Sequence, residues 1–278
     1  MACECLLEIF LRKGKPEERV QMMFIFEKMD LICSALKTPT GDSDEDYQFH
    51  KILSQLLSHI GCTLVELRTL IERPLHYQMY LEVMLELLQY PSILIRSHVV
   101  PFWNSLMQHG TLTALLIPSD KVLQTLMLCV IRALEPIDLD NPFDEHLEDD
   151  FGENELEPFT KGLQKQFLRI IEFTASFQPE LPLTLLANEI GDFGNASTAK
   201  YNLILKACFS GLSGEEVFQS ETAAQAATHI LGHLLKFNPS CPRLQHYQAE
   251  AFHACILFIF SKPDVLPHII LKVSISPF

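Results

Sequence analysis

The chain has 278 residues, enough for about two ordinary domains or one long array of repeats. A hydrophobic fraction of 48% excludes a largely disordered chain, and a net charge of −14 argues against general affinity for polyanions while leaving room for a local basic face. That charge is uneven: residues 135–157 hold eleven carboxylates and no Lys or Arg, whereas the other 24 acids nearly balance the 21 bases.

Apolar spacing is helical throughout and no alternating strand pattern occurs, which predicts an all-α fold. In chain order, helices are expected over about 2–12, 16–37, 45–71, 75–90, 92–109, 119–134, 156–176, 181–190, 197–210, 221–236, 243–261 and 263–273. The first carries Glu4 and Glu8 where a signal peptide needs unbroken apolar residues, so no leader is expected. The turn after it, RKGKPEER, groups Arg12, Lys13, Lys15 and Arg19, four cations placed to meet phosphates, diluted by Glu17 and Glu18. Asp42, Asp44, Glu45 and Asp46 open the third helix and suit its N-terminal dipole.

Residues 74–110 hold the clearest helix pair. Tyr77, Tyr80, Leu81, Met84 and Leu88 form one apolar stripe, with Gln78, Glu82, Glu86 and Gln89 opposite. Pro91 forbids continuation, and Ser92 is placed to cap the next helix. There Ile95, Val99, Phe102 and Leu106 make a second stripe, Arg96 enters early in a structural role, and Pro101 should kink the helix. The longest uncharged run, 97–119, is broken by His98, Pro101, Asn104, His109 and Gly110, so no membrane insertion is expected.

Residues 135–157 are too many for a cap and too charged to pack. They predict an exposed loop whose carboxylates would steer a basic partner. Twelve helices make about six antiparallel pairs, close to the period of a HEAT-type α-solenoid. Apolar residues begin almost at Met1, and the chain stops just after an apolar run at 269–273. Terminal repeats need a polar outer face, so the pattern predicts a segment incomplete at both ends.

Signs of catalysis are weak. Eight scattered cysteines without a CxxC read as reduced thiols of a soluble intracellular protein. His229 and His233 have the i, i+4 spacing of helical zinc sites, but Ile230 stands where a metalloprotease needs Glu, and no third ligand is identifiable. Asp192-Phe-Gly194 copies a kinase tripeptide without the glycine-rich loop or catalytic loop that would give it meaning. No catalytic residue, metal or cofactor is expected, and the chain reads as a binding protein.

The ordered set CECLLEIFLRKGKPEERVQMMFIFEKM, LEVMLELLQYPSILIRSHVVPFWNSL, the acidic loop before KQFLRIIEF, then LLKFNPSCP and KPDVLPHIILKVS resembles the middle of the hairpin-RNA exportins of the importin-β superfamily. The resemblance spans nearly the whole chain. It implies a nuclear export receptor that shuttles between nucleus and cytoplasm, meets nuclear pore components, and wraps Ran in its GTP form with cargo inside a ring of HEAT repeats. The implied cargo is structured double-stranded RNA such as pre-microRNA and tRNA, held by shape and backbone contacts. In that setting Asp144, Glu145, Glu148, Asp149 and Asp150 would face the basic surface of Ran, and Arg12, Lys13, Lys15 and Arg19 would face RNA. Two other readings stand beside it. One is a HEAT scaffold that joins proteins without touching RNA. The other is a helical metal enzyme on His229 and His233, which requires stoichiometric zinc.

Overall fold

Helices form wherever the apolar spacing is sustained. The computed structural model describes residues 2–11, 19–20, 22–37, 43–67, 74–108, 120–134, 151, 155–178 and 180–192, with short stretches at 203–204, 207–208, 227–228, 245, 248–249, 251 and 253. Among the described residues, eight longer α-helices follow one another: α1 (Ala2–Leu11), α2 (Met29–Lys37), α3 (Ser43–Glu66), α4 (Tyr77–Leu88), α5 (Ile93–Met107), α6 (Asp120–Ala133), α7 (Leu156–Phe177) and α8 (Glu180–Asp192). A 3₁₀ helix, Met22–Lys28, leads directly into α2. Among the described residues there is no strand. The chain divides into two compact units, Met1–Ile170 and Ile171–Phe278.

In the first unit alternate helices pack side by side. α3 lies against α1 and α5, while α4 lies against α2 and α6; α4 also touches α3 and α5 across the gap. Thus α1, α3 and α5 form one layer and α2, α4 and α6 the other. This two-layer stacking is how helix pairs bury a continuous core in a HEAT solenoid. Both predicted stripes are core: Tyr77, Tyr80, Leu81, Met84 and Leu88 of the first and Ile95, Val99, Phe102 and Leu106 of the second are each at most 1% exposed. The central helices bury more than one stripe, since Val83, Leu85, Leu87, Leu94, Val100 and Trp103 are buried too. Neighbours on two sides account for that. α6 keeps a plain helical stripe, Val122, Leu123, Leu126, Met127, Val130 and Ile131.

The layers meet at an aromatic cluster. Tyr80 lies 5.1 Å from Phe26 and 5.3 Å from Phe102 between ring centroids, and Phe102 lies 5.0 Å from Trp103. The Tyr80 hydroxyl donates to the Leu57 carbonyl at 2.9 Å. Such closeness to α3 is possible because residue 61 is glycine: a Cβ there would stand 2.0 Å from Tyr80 Oη and 2.4 Å from Phe102 Cδ2. A second tie joins α3 to α5. The Gln55 amide nitrogen has only protons to offer, so it donates to His98 Nε2 (3.1 Å). His98 Nδ1 then donates to the Ser54 hydroxyl (2.9 Å), which donates to the Lys51 carbonyl (2.8 Å).

Several boundaries differ from expectation. α4 starts at Tyr77 rather than 75, because His76 adopts a left-handed conformation (φ 58°). Ser92 does occupy the N-cap position of α5, with extended backbone and its carbonyl accepting from Arg96 N at 3.2 Å. Its hydroxyl, however, makes no capping bond and is buried without a partner among the described residues. Arg96 reaches back to the Pro91 carbonyl at 3.3 Å, consistent with a structural role. α5 continues as α-helix through Pro101, whose ring is exposed. The single helix expected over 16–37 is α-helical at 19–20, winds as 3₁₀ over Met22–Lys28 and continues as α2.

In the second unit, α8 buries Leu181, Leu183 and Leu186. Ile204, Ala207 and Cys208 are helical and buried at i, i+3 and i+4, inside the helix expected over 197–210. The helix expected over 263–273 lies outside the described residues.

Candidate functional site

The basic turn is fixed at one end. Arg12, Lys13 and Lys15 lie outside the described residues, but Arg19 is described. Its guanidinium donates to Thr63 Oγ1 at 2.9 Å and pairs with Glu66 Oε2 at 2.8 Å. Thr63 and Glu66 lie one turn apart at the end of α3, so a single guanidinium reaches both. The Arg19 side chain is 24% exposed and that of Glu66 is 60% exposed, so the pair borders solvent. Beside it, burial pushes the Cys62 thiol up to about 11, and the Glu66 carboxylate adds to the effect.

Asp144, Glu145, Glu148, Asp149 and Asp150 lie outside the described residues. The segment that follows them is anchored: Phe151 packs on Phe159 in the first turn of α7, with centroids 4.4 Å apart. Glu157 pairs with Lys161 one turn on, and that hydrogen bond holds its carboxyl below the usual range. Before the segment, Leu134 at the end of α6 is buried. At the start of α3, Asp44 and Glu45 are exposed in the first turn, where the dipole favours carboxylates. His229 and His233 lie outside the described residues; among those described, no three His, Cys, Asp or Glu side chains converge as a metal site. No described helix is long and apolar enough to cross a membrane.

Sequence reasoning placed Arg19 with the cations but missed its partners, which are 44 and 47 residues away and carry no local signal. It also missed the role of Gly61. A glycine inside a strong apolar run was the available hint, since it weakens a helix unless something must approach closely.

Comparison with known proteins agrees with this architecture. A family model described as Exportin-5 matches residues 44–276. The chain is similar to Exportin-5 of Dictyostelium discoideum, 25% identical with the whole chain aligned to 27% of that protein. It is similar to Exportin-5 of Mus musculus, 31% identical over 67% of the chain and 16% of the relative. To Exportin-5 of Homo sapiens it is 33% identical over 55% of the chain and 14% of the relative. The chain thus spans about a quarter or less of the length of each. With helices and no strand among the described residues, two layers of helices in the first unit and a family match over most of its length, this chain belongs to the Exportin-5 family.

Proposed function

We propose that this chain is a solenoid segment of a nuclear export receptor that carries structured double-stranded RNA, such as pre-microRNA or tRNA, together with Ran in its GTP form. The observation that carries this reading is the family match over residues 44–276, joined to an architecture suited to wrapping partners rather than to catalysis. In this reading the receptor shuttles between nucleus and cytoplasm through contacts with nuclear pore components. The acidic residues Asp144, Glu145, Glu148, Asp149 and Asp150 face the basic surface of Ran, where many carboxylates together speed encounter. Arg12, Lys13 and Lys15 face RNA phosphates, with Arg19 at the base of their turn.

The test is a pull-down of hairpin RNA by the full-length receptor with RanGTP or RanGDP. RNA retention that depends on the GTP form supports the reading, and equal retention with RanGDP refutes it. A second reading, a HEAT scaffold that joins proteins without RNA, is favoured by one observation: the Arg19 guanidinium is already taken by Thr63 and Glu66. That reading expects no RNA retention under either condition.

A further inference from the structure

The 3₁₀ winding of Met22–Lys28 runs for seven residues, longer than the three or four at which such winding usually stops. Its side-chain pattern does not require it. Ile25, Phe26 and Met29 are buried and Ile32, Cys33 and Leu36 half-buried, spacings that an ordinary α-helix satisfies. What the segment does have is an anchor at each end. Downstream, Phe26 is locked against Tyr80 and Tyr77, and Met29 is 1% exposed. Upstream, Arg19 is fastened to Thr63 and Glu66 at the end of α3. A 3₁₀ helix rises about 0.5 Å more and turns about 20° more per residue than an α-helix. Over the seven residues of Met22–Lys28, the chain is thus about 3.5 Å longer and about 140° overwound relative to its α form.

We infer that the contact of Arg19 with Thr63 and Glu66 is a latch that keeps Met22–Lys28 stretched, and that a phosphate group competing with Glu66 for the guanidinium lets the segment relax into α-helix. A guanidinium fork pairs with phosphate as it does with carboxylate. Both partners border solvent, so an incoming anion reaches them without unfolding anything. A partly exposed ion pair is also weak enough to be exchanged. Relaxation draws Arg19 toward α2 and turns Phe24, now 54% exposed, about the helix axis. The trigger rests on the reading of the basic turn as phosphate-facing; the latch itself does not.

The segment carries its own reporter, because Met23 lies within it and Met29 directly after it. The experiment is methyl NMR of the 278-residue chain labelled with ¹³C-methyl methionine. Arg19→Ala and Glu66→Gln should shift the Met23 and Met29 resonances in the same direction. Inorganic phosphate should move the unsubstituted chain toward those positions, while potassium chloride at equal ionic strength should not, and phosphate should have no effect on Arg19→Ala. A short RNA duplex should act at a lower phosphate concentration than the free ion if backbone phosphate is the natural trigger. Unshifted resonances in both variants, with Trp103 fluorescence showing them folded, overturn the latch. Phosphate and chloride acting alike overturn the trigger. Both variants are read without RNA, so failure of the latch is distinct from failure of RNA carriage.

Discussion

Replacing Gly61 with alanine tests the core of the first unit at one atom. The added methyl would stand 2.0 Å from Tyr80 Oη and 2.4 Å and 2.8 Å from two atoms of the Phe102 ring. Neither side chain has slack. Tyr80 is fully buried and tied to the Leu57 carbonyl, with Phe26 and Phe102 on its flanks. Overpacking of this kind typically costs about 1–3 kcal/mol. Displacing the Tyr80 hydroxyl adds about 1 kcal/mol for the lost hydrogen bond. Against this, alanine in a helix interior gains about 1 kcal/mol over glycine. The net expectation is a loss of about 2 kcal/mol. Urea unfolding followed by the single tryptophan, Trp103, reads it directly, since that ring is fully buried and adjoins Phe102. Tyr80→Phe removes the nearest clashing atom, so the double variant should lose about 1 kcal/mol less than the sum of the two singles. A midpoint for Gly61→Ala at or above that of the parent chain refutes the close approach.

Four further outcomes follow from the same structure. Burial raises the Cys62 and Cys129 thiols to about 11, so near pH 8 each holds about a hundredfold less thiolate than an unshifted thiol, and alkylation followed by mass spectrometry should modify exposed Cys5 before either of them. In the unfolded chain these thiols ionise near 9.0, so stability should be level below that pH and fall from about pH 9 to 11, as thermal melts across that range would show. Ser54→Ala removes the hydroxyl that accepts from His98 Nδ1 and should lower the urea midpoint by an amount equivalent to about 1 kcal/mol. His76→Gly relieves a left-handed residue and should raise that midpoint by about 0.5–1 kcal/mol, a lowered midpoint counting against the strain.

The stripes of α4 and α5 were legible because burial and the 3.6-residue period coincide in a helix packed by neighbours. α6 and α7 were legible for the same reason, and their bounds agree with expectation within a residue. Legibility fails where the determining contact is distant in sequence. Gly61 looks only like a weak helix residue until Tyr80 and Phe102 are placed against it. The 3₁₀ winding of Met22–Lys28 is invisible because its buried positions fit an α-helix equally well. Ser92 shows a subtler limit: side-chain chemistry predicts the cap position, yet the buried hydroxyl makes no capping bond. Of the two proposed contact surfaces, residue chemistry identified the charged groups, and only Arg19 gains a described structural setting.

The packing of α1, α2, α3 and α4 each on the next described helix but one sets a parity rule for these six helices. From α1 to α6, helix number, odd or even, decides the layer to which a helix belongs. Inserting or losing a single helix would transfer every later helix to the opposite layer and turn apolar faces away from their neighbours. Adding or removing a pair leaves all later assignments intact. Length changes in chains of this kind should therefore come in whole pairs, and odd increments should appear only where the stack is interrupted.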